Sequence, residues 1–116
     1  AGGQELLVSL ISDGGAYLPI HHVRATYPSQ ALREQLSGWV RLTFTVTPEG
    51  NVRNVRVAEN CASTVPPSER RCRNAPNDIF DAAATKAVLQ YRYRPRRLGG
   101  EAVEVPGVEH TVFFER

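Results

Sequence analysis

Two cysteines and three histidines carry most of the reactive chemistry in this sequence: Cys61, Cys72, His21, His22 and His110. The cysteines lie in a stretch from Asn60 to Asn77 rich in Ser, Pro, Asn and Arg, which reads as a loop. A disulfide closing a loop of about a dozen residues contributes roughly 3 kcal/mol in the chain-entropy model. It would also place the protein in an oxidising compartment. The plainer alternative is two free thiols on a surface loop. Their spacing matches no common zinc pattern, and no histidine stands near them in sequence, so no metal site is expected. His21 and His22 are adjacent, so on an extended chain they point to opposite faces and read as surface or rim residues. No G-x-S-x-G, H-E-x-x-H or phosphate-cradling glycine loop is present. Neither cysteine is flanked like a protease nucleophile. An enzyme is therefore not expected, and no cofactor is implied. The run Tyr91-Arg92-Tyr93-Arg94-Pro95-Arg96-Arg97 could bind anions or stack on bases. The simpler expectation is a solvated arginine face with the tyrosines turned into the core. With 14 Lys+Arg against 12 Asp+Glu, the net charge of +2 is no nucleic-acid footprint.

These residues must be positioned by one domain, since 116 residues with 41% hydrophobic and 22% charged content suit a single core. No apolar run is long enough to span a bilayer; the longest, Leu6 to Ile11, is far too short. Ala1 to Glu5 carry no basic residue ahead of an apolar stretch, so a soluble chain without a signal peptide is expected. Tyr27-Pro28 opens a helix whose inner face is Ala31, Leu32 and Leu36, with Gly38 as its stop. Trp39 to Thr47 alternates cleanly, with Val40, Leu42, Phe44 and Val46 on one face. After a turn at Thr47 to Asn51, a return strand Val52 to Ala58 places Val55 and Val57 inward, and Val52, out of phase, suggests a bulge. Asn77 or Asp78 caps a second helix that must end near Tyr91, ahead of Pro95. A Gly99-Gly100 turn and a brief pairing segment, Ala102 to Val105, follow. Pro106-Gly107 interrupts, and Val108 to Glu115 forms a last strand. Val108, His110, Val112 and Phe114 share one face of it, which makes His110 a hydrogen-bonded, partly buried residue. The expected fold is α+β, a three-stranded antiparallel sheet with two helices packed on one face, spanning residues 18–116. Residues 1–17 form an N-terminal extension that offers a short extra strand or a turn. Nothing follows the last strand to pair with its far side, and an open edge is a template for another chain. Glu109 and Glu115 could blunt that edge, or residues 5–11 could cover it.

The order Tyr27-Pro28-x-x-Ala31, Gly38-x-Val40 and Phe44-x-Val46-x-x-x-Gly50-x-Val52 resembles the C-terminal domain of TonB. The second half agrees through Phe80-Asp81-x-Ala83-Ala84-x-x-Ala87, Tyr91-Arg92-Tyr93-Arg94-Pro95, Gly99-Gly100 and the closing Phe113-Phe114. The resemblance implies the same α+β architecture in the periplasm of a Gram-negative bacterium. It implies that the domain grips the TonB box of an outer-membrane TonB-dependent transporter by β-strand addition, and passes on force from an ExbB/ExbD-type motor for substrate uptake. The pairing strand would be Glu109, His110, Thr111, Val112 and Phe113, with Arg24, Thr26, Tyr27, Pro28 and Gln30 near the transporter. It further implies an upstream inner-membrane helix, and the terminal strand invites exchange into a homodimer. The sequence departs from the family where Arg24-Ala25 replaces Gln-Pro, Gln30 replaces an arginine, Tyr91 replaces a tryptophan and the cysteine loop is longer. The alternative is a free-standing periplasmic adaptor of the same fold that binds another protein or the cell wall.

Overall fold

The computed structural model describes residues 17–64 and 77–115. The expectations for Leu6 to Ile11, for Cys72 and for most of the cysteine loop lie outside the described residues. Helix α1 is Ser29–Arg33 and strand β1 is Ser37–Val46. Strand β2 is Val52–Ser63, helix α2 is Asp81–Val88, and a small hairpin pairs β3 (Arg96–Leu98) with β4 (Glu101–Val103). Strand β5 is Val105–Phe114. The main sheet is antiparallel with the order β2-β1-β5. The alternation in β1 places Val40, Leu42, Phe44 and Val46 at 2% exposure or less, where they share the core with Phe80, Ala84 and Val88. The expected three-stranded sheet and two helices are both present.

The helix and strand limits differ from expectation for local reasons. α1 is shorter than predicted because Gln35 takes the left-handed conformation at φ 56°, well before Gly38. The Leu36 N–H donates to the Ala31 carbonyl and the Gln35 N–H to the Leu32 carbonyl, which closes a Schellman turn with Leu36 against Ala31. Pro28 stands at the N-cap rather than inside the helix. β2 continues past its expected end because Asn60 to Ser63 pair with Val40 to Ser37. Cys61 is therefore a buried strand residue and not a loop residue. A register shift, with Asn54 at φ 56°, changes the phase of β2. Val55 packs against the core as expected, while Val57, opposite Leu42, is 36% exposed because β2 lies at the outer side of the sheet. β5 runs through Pro106-Gly107 instead of starting after it, with a register shift opposite Phe44 and Val46. α2 begins at Asp81, later than a cap at Asn77 would place it. Asn77 instead accepts the Ile79 N–H, and its own N–H donates to Asn60. Asn60 also donates to both carboxylate oxygens of Asp81 at 3.0 and 3.1 Å, tying the end of β2 to the start of α2.

The segment after α2 behaves as expected: Tyr91 and Tyr93 are 1% exposed while Arg92 and Arg94 face solvent. The Arg92 N–H donates to the His21 carbonyl, and the Arg92 carbonyl accepts from Ile20 and His21. The Tyr93 N–H donates to the Gly50 carbonyl at 2.8 Å. Gly50 thus couples the β1–β2 turn to this segment. Its φ is +88°, and a Cβ there would collide with the Tyr93 carbonyl oxygen. Gly50→Ala is expected to destabilise the domain by about 2–4 kcal/mol, combining backbone strain with overpacking. Urea denaturation checks this, and a loss below about 1 kcal/mol would show that the contact is slack.

Candidate functional site

β5 is an edge strand: β1 pairs with one side of it, and no strand among the described residues pairs with the other. Beside that open side runs the extended segment from His22 to Tyr27, and the two enclose a groove of about 490 Å³. The groove wall is built by two anchors. Arg92 and His21 hold one end of the segment through their backbone bridge. Tyr27 holds the other, its hydroxyl donating to the Leu36 carbonyl. The Tyr27 ring stands edge-on to Phe80 at 5.6 Å and to Phe114 at 5.8 Å.

At the His22 end three rings meet. The Tyr91 hydroxyl lies 3.3 Å from His110 Nε2, and the two rings are 5.1 Å apart, edge to face. The His22 ring is 4.8 Å from Tyr91 and 6.0 Å from His110. Burial pushes the Tyr91 hydroxyl up to about 12. Burial, and secondarily His22, hold His110 below the usual histidine range, so its neutral form is favoured. His110 is thus the hydrogen-bonded, partly buried residue that its position on the strand predicts.

Arg24, Tyr27, His110, Thr111, Val112 and Phe113 all line the groove. Val112 is buried and faces the core, while Phe113, on the opposite face, is 54% exposed. The other candidates fall elsewhere. Thr26 and Pro28 line a neighbouring hollow of about 420 Å³ alongside Ala83 and Lys86 of α2. Gln30 donates to the Glu34 carboxylate at 2.8 Å on exposed α1. Glu109 pairs in register with Thr43 and does not line the groove. Sequence reasoning missed His22 and Tyr91 as wall residues. No local spacing signals them, because His22 and Tyr91 are far apart in sequence. Among the described residues, no group of three or more His, Cys, Asp or Glu could hold a metal. No described helix is long and apolar enough to cross a membrane.

The family model described as Gram-negative bacterial TonB protein C-terminal matches residues 23–64. Protein TonB of Pseudomonas aeruginosa is 26% identical over 85 residues, which is 73% of this chain and 21% of that protein. The solution NMR structure of the P. aeruginosa TonB C-terminal domain superposes with a TM-score of 0.61 at 24% identity, covering 88% of each chain. The TonB2 protein of Vibrio anguillarum superposes at 0.55 with 30% identity, covering 84% of this chain and 79% of that one. The chain belongs to the TonB C-terminal domain family. It spans about a fifth of the length of the full TonB protein it matches. The TonB family is Gram-negative and periplasmic, and its C-terminal domain belongs to a non-enzymatic transport energy transducer.

Proposed function

We propose that this domain is the partner-recognition end of a TonB-type energy transducer. It takes the TonB box of an outer-membrane TonB-dependent transporter as an added strand on β5 and transmits force to it for substrate uptake. The observation that carries this reading is the edge of β5, unpaired among the described residues, lying along a groove of about 490 Å³. Backbone hydrogen bonds contribute only about 0.5–1.5 kcal/mol each. Pulled along the strands, they are loaded together and resist. Peeled, they break in turn. A short added strand therefore holds under load and still exchanges. The ExbB/ExbD-type motor and an inner-membrane helix upstream belong to the same reading, as does a homodimer in which a second copy's terminal strand occupies the edge.

The test is an amide NMR titration with a TonB-box peptide and a scrambled control. Saturable shifts at His110 to Phe113 and at His22 to Tyr27 are expected from the TonB-box peptide alone. Equal shifts from the scrambled peptide, or none at β5, would overturn strand addition.

A Cys61–Cys72 disulfide closing the loop at 60–77 is part of the proposal, and it suits periplasmic residence. Two findings support it: Cys61 is fully buried at the end of β2, and no described cysteine is free. Reduction is expected to lower the unfolding free energy by about 3 kcal/mol. Denaturation with and without reductant measures it, and identical midpoints would remove the disulfide from the account.

A further inference from the structure

The groove beside β5 has a charge pattern of its own. His22 and Arg24 both line the groove. From β5 the His110 imidazole joins them, and among the described residues of the lining Glu115, at the far end, is the one carboxylate. Arg24 makes no ion pair among the described residues. The groups around His110 can be named element by element. Segment 22–27 presents His22 and Arg24, and the exit of α2 presents Tyr91. The Arg92 guanidinium is turned back onto the Tyr91 carbonyl at 2.9 Å. β1 offers apolar Leu42 opposite His110. Glu109, next to His110 on β5, faces away from the groove by strand alternation. Among the described residues, no carboxylate therefore faces His22 or His110. The cluster is a wall able to carry positive charge, with no counter-charge among the described residues.

A strand added to β5 continues the alternation of the sheet. Its residue opposite His110 points to the same side as His110, into the space bounded by His22 and Tyr91. We propose that His22, Tyr91 and His110 form a specificity subsite for an acidic side chain on the added strand, so that binding tightens as pH falls. The inference rests on the strand-addition reading and deepens it. In the free domain burial, and secondarily His22, hold His110 below the usual histidine range. A carboxylate arriving within about 4–6 Å favours the charged imidazole by about 1–3 pKa units in a partly buried site. The sign follows: His110 has a higher affinity for protons in the complex than in the free domain. Proton uptake on binding means affinity rises as pH drops through the histidine range. The carboxylate, ordinarily near 4.3, stays ionised over that window.

The probes are heptapeptides of alternating threonine and valine, with one glutamate walked along the valine positions, each paired with a glutamine twin. Binding is measured by calorimetry at pH 7.5 and pH 5.5, and its location by amide shifts on β5. One glutamate register is expected to bind about tenfold more tightly at pH 5.5, a single pKa unit of coupling, while its glutamine twin changes less than about twofold. His22→Gln, at an exposed position, and His110→Gln are each expected to flatten the glutamate profile. If peptides bind β5 but no glutamate register gains affinity with acid, the subsite is wrong and strand addition stands. The subsite is equally wrong if His22→Gln leaves the profile unchanged. If no peptide shifts β5 at either pH, the strand-addition reading falls, and this inference with it.

Discussion

Replacing Phe80 with alanine is expected to lower the unfolding free energy by about 3–5 kcal/mol. Few single side chains in this domain join as many elements. Phe80 is fully buried at the N-cap of α2. Its ring stacks on Phe114 of β5 at 4.4 Å with 15° between planes. It also meets Tyr27 edge to face, and it sits so close to Gly38 that a Cβ there would touch its ring. One aromatic ring thus holds the second helix, the edge strand, the central strand and the groove-lining segment. Aromatic pairs add about 0.5–1.5 kcal/mol beyond the area they bury, and Phe80 has two. The neighbouring helix and strand ends are pinned by pairing, so the cavity cannot collapse freely. Against a typical total of roughly 5–15 kcal/mol, such a loss is a large fraction. Phe113→Ala is the matched control, because Phe113 is 54% exposed on the other face of β5 and should cost about 1 kcal/mol or less. Urea denaturation of both variants is the measurement. Equal losses would show that Phe80 is not the junction its contacts describe.

The contrast between Phe80 and Phe113 also shows what can be read from sequence and what cannot. Alternation in β1 is legible because the sheet buries one face of a central strand, and Val40, Leu42, Phe44 and Val46 all obey it. In β2 the out-of-phase Val52 already suggests a bulge, and it falls at Asn54, a residue type that takes a positive φ more readily than most. The stop of α1 was assigned to Gly38, the residue type that takes the left-handed conformation most easily. Gln35 takes it instead, while Gly38 is needed for the close approach of Cys61 and Phe80. Local preference cannot distinguish these two uses of a backbone position, because one of them is a tertiary contact. The candidate site divides the same way. The choice of β5 follows from the resemblance, which singled out the strand itself. The groove wall does not, because His22, Tyr91 and His110 meet only through the backbone bridge between His21 and Arg92. Arg24 and Tyr27 line the groove, while Thr26 lines the neighbouring hollow, which Arg24 also borders.

The largest effect on binding is expected from the partner's backbone rather than from any side chain of the domain. If a partner adds to β5 as a strand, every second amide of that partner points at β5, and the others point to solvent. Methylating the first set removes the donors and places methyl groups between the strands. Methylating the second set leaves the ladder intact. Losing about three hydrogen bonds at roughly 0.5–1.5 kcal/mol each, with a steric clash added, weakens binding by about 100-fold or more. Two N-methylated versions of one TonB-box peptide, offset by a single residue, therefore separate strand addition from every side-chain-driven mode. One should retain its affinity within a few-fold and the other should lose it. A partner held mainly by side chains in the groove would weaken equally with either pattern. A partner docked as a helix would tolerate neither, because both patterns remove helical N–H donors. The test also reports on a competing second copy. If the terminal strand of another chain already occupies β5, both peptides bind weakly, and affinity for the permitted peptide rises on dilution. The one-residue offset thus asks the edge of β5 a question that only its hydrogen-bonding register can answer.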